Sequence, residues 1–143
     1  MSDKNLSEKS YQQYHQTLIE TLAEHIKRTP PFNGDVLDEL QALFLEKLDD
    51  ILSNHPNQQD VSDSGQWLLN HIVSNYQQLM PAVPRDLFWY FGGDCLHFLE
   101  DHEISHFQQL DEAFHEARSH TDQAVNYEQL VKQSKTDIEG SLH

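Results

Sequence analysis

The sequence predicts an all-α protein, a single-domain bundle of about five helices with a central apolar helix near residues 87–99. Two observations support this fold class. Apolar residues recur three or four positions apart along most of the chain, which is the spacing of one face of an α-helix. The sequence also lacks runs of alternating apolar and polar residues, hairpin dipeptides between apolar segments, and internal repeats.

Two helices are predicted in the first 55 residues. The first, at residues 7–28, must stop at Pro30 and Pro31, because proline removes a hydrogen-bond donor and restricts the residue before it. The second lies within residues 34–55. The predicted inward stripes are Tyr11, Tyr14, Leu18, Leu22 and Ile26 in the first helix, and Leu37, Leu40, Phe44, Leu48 and Ile51 or Leu52 in the second.

A third helix is expected after a polar loop at residues 56–65, with Asp63 or Ser64 as its N-cap. Its stripe comprises Leu68 or Leu69, Ile72, Tyr76 and Leu79.

A proline-bounded linker leads to the sequence LFWYFGGDCLHFL, which is apolar on every side at residues 87–91. Such a helix is normally buried at the centre of a domain. Gly92 and Gly93 either break this helix or let another backbone approach closely.

A fifth helix is predicted from Asp101 to about Arg118, and the chain after it is polar. Its inward residues are Ile104, Phe107, Leu110 and Phe114. At most one short helix is expected beyond it, near residues 124–132. We therefore expect an acidic helical bundle domain at residues 1–119 and a polar C-terminal tail at residues 120–143, weakly helical or partly disordered.

The chain is strongly acidic, with nine Lys and Arg against 24 Asp and Glu and a formal net charge of −15. Nucleic acids and anionic membranes are bound through Lys and Arg, so neither is an expected direct partner. A protein with a basic surface is the expected partner. The single cysteine, Cys95, cannot form an internal disulfide, and no long apolar segment or leader is evident, which together predict a cytoplasmic location. The sequence does not indicate an oligomeric state.

One motif suggests a reaction: His102-Glu103-x-x-His106 matches the zinc-binding motif of metal-dependent hydrolases. In those enzymes, two histidines one helical turn apart bind zinc and the glutamate polarises a zinc-bound water. The match ends at these five letters. On a helix whose core face carries Ile104 and Phe107, His102 points outward and His106 lies on the flank. We interpret the motif as an accidental surface match, with no catalytic residue and no cofactor. The alternative is a zinc site with His102 and His106 as ligands and Glu103 as the base.

Cys95 and His97 are a further candidate pair, for a nucleophile and its base. Two residues apart on a helix, they would point in nearly opposite directions. A buried structural cysteine is the better interpretation.

The aromatic run LFWYF is predicted to be core, but an alternative places part of it in a partner-binding groove. The residues of that candidate site are Trp89, Tyr90, Glu100 and Asp101. The predicted function is that of a small acidic protein that binds and regulates another protein without catalysis. A narrower hypothesis is a nucleic-acid mimic, and the alternative is a zinc-dependent hydrolase or metal-binding protein.

Overall fold

The all-α prediction is confirmed by a computed structural model of the chain. It describes the backbone of residues 3–55, 61–121 and 123–141, and the side chains of residues 6–55, 61–121 and 123–134. No residue in these ranges lies in a β-strand. Six α-helices are described: α1 (Asp3–Lys27), α2 (Glu39–Asn54), α3 (Ser62–Asn75), α4 (Arg85–Phe91), α5 (Asp101–Ser119) and α6 (Tyr127–Ser141). Two 3₁₀ helices lie at Gln77–Ala82 and Gly93–Phe98.

Local sequence determines where α1 ends and α2 begins. Just beyond α1, the Thr29 hydroxyl donates to the carbonyl of His25 over 2.6 Å, and the proline pair follows. At the start of α2, a carboxylate oxygen of Asp38 accepts a hydrogen bond from the backbone N–H of Gln41, and the Gln41 side chain accepts one from the backbone N–H of Asp38. This reciprocal capping box satisfies two donors that the first turn of a helix leaves unpaired. The helix therefore begins later than residue 34.

The predicted cap of α3 is wrong. Val61 occupies the N-cap position without a side-chain hydrogen bond, and both Asp63 and Ser64 lie inside the helix. Residues 56–60 of the predicted loop lie outside the described residues.

The single helix predicted at residues 87–99 is instead two short helices. It breaks at Gly92 and Gly93, whose φ angles are +68° and +60°, in a region that side-chain-bearing residues rarely adopt. Of the two roles predicted for this glycine pair, the structure therefore shows that it breaks the helix. The predicted burial holds for Leu87, Phe88 and Cys95, whereas Trp89, Tyr90 and Phe98 are half-buried.

The chain divides into two compact units. The middle unit, residues 15–100, contains α2, α3, α4, the two 3₁₀ helices and the second half of α1. Within it, α3 contacts α2, α4 and both 3₁₀ helices. The fully buried side chains at its centre include Ile26, Phe44, Leu48, Ile51, Leu69, Ile72, Leu79 and Phe88.

The terminal unit, residues 1–14 and 101–143, contains the start of α1 together with α5 and α6. Its core joins the buried residues Leu110, Phe114, Tyr127 and Val131. The Tyr11 ring stacks on Tyr127 with centroids 4.7 Å apart. The last helix is longer than predicted, since it begins at Tyr127 and continues to Ser141. The domain division predicted at residue 119 stays a prediction.

Candidate protein-binding surface and buried histidine cluster

An apolar surface is exposed at the start of α2. Leu40 and Leu43 are 45% and 39% exposed, and Val36, just before the helix, is 90% exposed. Leu40 and Leu43 lie three residues apart, so their side chains are neighbours on one face of the helix. The prediction that Leu40 faces the core is wrong, because the buried face of α2 is centred on Phe44, Leu48 and Ile51.

Carboxylates border these leucines on α2. Glu39 lies four residues before Leu43, Glu46 three residues after it and Asp50 seven residues after it. All three are exposed, and their spacing places them on the same side of the helix as Leu43. We call Val36, Leu40, Leu43 and these three acidic residues the α2 surface. It presents apolar groups that water solvates poorly beside a column of negative charge.

The cation closest to this surface along the helix is engaged elsewhere. Lys47 lies four residues after Leu43, and its ammonium nitrogen is 6.0 Å from the centre of the Trp67 ring, at the limit of a cation–π contact. Lys47 therefore covers part of the Trp67 ring, and the acidic column lies on the other side of Leu43.

A second cluster is buried in the middle unit. The His55 imidazole is 4% exposed and lies 2.6 Å from two partners: its Nδ1 from Oε1 of Gln16, and its Nε2 from the hydroxyl of Tyr90. The Gln16 amide nitrogen donates to a carboxylate oxygen of Glu20 over 3.2 Å. The ring of His15, which is 1% exposed, stacks on Tyr90 with centroids 4.0 Å apart. Burial lowers the pKa of His55.

This cluster was missed by sequence reasoning, although a signal for it exists. His15 continues the spacing of the buried residues Ile19, Leu22 and Ile26, and His55 lies four residues after Ile51. A histidine in register with a core stripe is a candidate for burial, but its hydrogen-bond partners come from distant parts of the chain.

The four candidate partner-binding residues predicted from the sequence differ in exposure. Trp89 and Tyr90 are half-buried on α4, and Tyr90 belongs to the histidine cluster. Glu100 and Asp101 are exposed but fall into different units, at the end of the middle unit and at the start of α5. A partner-binding role for these four residues stays a prediction.

The residues of the zinc motif lie on α5. His102 is exposed, whereas Glu103 and His106 are half-buried. In the part of the chain that the structure describes, no three His, Cys, Asp or Glu side chains converge as a metal-binding group. The alternative of a zinc site at His102 and His106 stays a prediction. The described residues do not supply a third ligand for it.

His106 lies instead in a groove of about 300 Å³ between α5 and α6. Its Nδ1 is 3.4 Å from the hydroxyl of Ser134, which is long for a hydrogen bond from a hydroxyl group. The apolar residues that line the groove are Leu110, Ala113 and Leu130. This spacing does not provide the close base contact that activates a serine nucleophile.

Cys95 and His97 do not form a catalytic pair. Cys95 is completely buried, while His97 is exposed. Burial and the negative charge of Asp94 raise the pKa of the Cys95 thiol to about 11, which disfavours the reactive thiolate.

The fold and these sites define a helical protein with an exposed acidic and apolar surface and a buried polar cluster. Residues 7–142 match the model of the PA2817-like family, so the chain belongs to that family. Neither a curated protein nor a solved structure matches the chain. Among the described residues, no helix is both long enough and apolar enough to cross a membrane.

Proposed function

We propose that this protein acts by binding another protein through the α2 surface, as a regulatory and non-catalytic cytoplasmic protein. The supporting observation is the exposure of Leu40 and Leu43 beside Glu39, Glu46 and Asp50. Single exposed leucines are common on protein surfaces, but Leu40 and Leu43 are exposed neighbours on one helix face, with the exposed Val36 just before the helix. Apolar groups exposed side by side are a feature of interaction sites.

Burial of this patch by a partner would provide the affinity. Complete burial of a leucine side chain contributes about 1.5 to 3 kcal/mol relative to exposure. Leu40 and Leu43 are already partly covered, so each would gain a fraction of that value.

The charge beside the patch favours a basic partner. A segment whose apolar residues cover Leu40 and Leu43 would place Lys or Arg side chains against the acidic column. The net charge of −15 would accelerate such an encounter over a longer range. Binding should weaken as salt increases, because salt screens exposed charges.

Photo-crosslinking tests the surface directly. A photo-crosslinking amino acid at position 43 should capture a partner in cells, whereas the same group at position 42 should not. Ala42 is the control because it is exposed on the same helix but is turned about 100° from Leu43, beyond the acidic column.

Substitution provides the second test. The double variant Leu40→Asp with Leu43→Asp should lose the captured partner, and Ala42→Asp should retain it. Both proteins should melt close to the parent. Equal retention of the partner by all three proteins would contradict the proposed surface.

Nucleic-acid mimicry is a narrower form of this proposal. It would require carboxylates spaced like phosphates, and duplex DNA should then compete for the captured partner. A partner that DNA does not displace would limit the proposal to ordinary protein binding.

A further inference from the structure

We propose that the Tyr90–His55–Gln16 hydrogen-bond chain is a pH-sensitive clasp, which holds α1, the end of α2 and α4 together while His55 is neutral. Three elements meet at one imidazole: Gln16 lies on α1, His55 caps the end of α2, and Tyr90 lies on α4. This clasp is independent of the binding role proposed for the α2 surface.

The partners of His55 determine its tautomer. Oε1 of Gln16 can only accept a hydrogen bond, so Nδ1 of His55 must carry the proton. The amide orientation of Gln16 is supported at its other end, where its nitrogen donates to Glu20. In the neutral ring Nε2 is then an acceptor, and the Tyr90 hydroxyl donates to it.

A second proton on His55 would disturb this arrangement. Nε2 would become a donor, and the Tyr90 hydroxyl would have to turn and donate elsewhere. The imidazolium charge would also be enclosed, since His55 is 4% exposed. Enclosed charge is unfavourable unless a counter-charge lies close by.

Among the described residues, no carboxylate is in direct contact with the His55 ring. On α1, the Glu20 carboxylate is separated from His55 by the whole Gln16 amide and is exposed to solvent, while His15 stacks on the tyrosine ring. On α4, the group in contact with His55 is the Tyr90 phenol. The half-buried Arg85 and Asp86 lie about one turn before Tyr90, and the Arg85 guanidinium donates to the carbonyl of Phe98 over 2.7 Å.

Further charges lie on α2 and α3. Asp49 and Asp50 of α2 are exposed, and Asp49 pairs with Lys27 over 3.0 Å. On α3, which packs against α2, Asp63 is exposed and His71 stacks on Trp67. The lowered pKa of His55, caused by burial, agrees with this environment.

The lowered pKa of His55 determines how the stability of the folded protein depends on pH. The folded pKa of His55 lies below the unfolded value of 6.5, so the unfolded chain binds the proton more readily. The stabilisation of the folded protein by neutral His55 is complete above pH 6.5. It is lost as pH falls from 6.5 toward the pKa of His55 in the folded protein. Each unit between the two pKa values corresponds to a tenfold change in the folding equilibrium constant.

Histidine NMR on the full chain tests the proposal. With ¹⁵N-labelled histidine, the His55 signal should show protonated Nδ1 and unprotonated Nε2 at pH 8, and it should titrate below pH 6.5. Tyr90→Phe removes the hydroxyl donor and should shift the Nε2 signal. Protonation at Nε2 instead of Nδ1, or titration at or above pH 6.5, would overturn the clasp.

Urea unfolding provides a second measurement. Both tryptophans, Trp67 and Trp89, lie in the middle unit, so their fluorescence reports its unfolding. The urea midpoint of the parent should fall between pH 8 and pH 5.5, and His55→Gln should lose much of that dependence. His97→Gln, which changes an exposed histidine, should retain it. An unchanged pH dependence in His55→Gln would overturn the proposal, and if that variant does not fold, the NMR titration of the parent decides.

Discussion

The backbone of Gly65 on α3 lies directly against the ring of Phe91 on α4, so that a methyl group added to Gly65 would overlap the ring. This contact brings two helices together where a side chain on α3 would hold them apart. Alanine normally stabilises a helix relative to glycine. Here the overlap should reverse that preference.

We expect Gly65→Ala to destabilise the protein by about 1 to 3 kcal/mol, the usual cost of overpacking a core. Urea unfolding followed by tryptophan fluorescence measures this loss. Gly34→Ala is the control: its added methyl would meet its nearest neighbour, the carbonyl oxygen of Pro31, at 3.5 Å, an ordinary contact. Equal stability of Gly65→Ala and the parent would show that α3 and α4 are not in such close contact.

Truncation of the two phenylalanines around the glycine break should have unequal effects. Phe91 is 5% exposed, so Phe91→Ala should cost about 3 to 5 kcal/mol. Phe98 is half-buried at the end of the second 3₁₀ helix, and Phe98→Ala should cost less. Thermal melts of both variants provide the comparison, and the reverse order would contradict the burial of Phe91.

The thiol of Cys95 should be protected in the folded protein. It is completely buried, and its pKa of about 11 leaves little thiolate at pH 8. A colorimetric thiol reagent should react slowly with the native chain at pH 8 and rapidly in urea. Fast labelling of the native protein would indicate that the second 3₁₀ helix opens readily. Labelling should be faster in Gly65→Ala if that variant loosens the middle unit.

Removal of both histidines of the zinc motif tests the metal alternative. If the motif is accidental, a chelator should shift neither the melting temperature of the parent nor that of His102→Ala with His106→Ala. The metal content of the parent protein, purified without an affinity tag, is the companion measurement. One tightly held zinc in the parent that is lost in the double variant would instead support a metal site.

The sequence determined the fold class and much of the helical framework. Burial of Phe44 and Leu48, or of Phe107 and Phe114, follows from apolar residues spaced at the helical period. Such a pattern is local, since every residue that forms it lies within two turns of the next. The prolines after α1 mark a boundary for the same local reason.

Only the tertiary structure decided which residues each helix leaves uncovered and which polar groups it buries. Leu40 fits an inward stripe as well as an outward one, and its exposure depends on where α3 packs against α2. His55 can be buried because Gln16 and Tyr90 provide its hydrogen bonds, from 39 and 35 residues away. Burial of a polar side chain is stable only when partners compensate for the lost water, and no local pattern specifies partners at that distance.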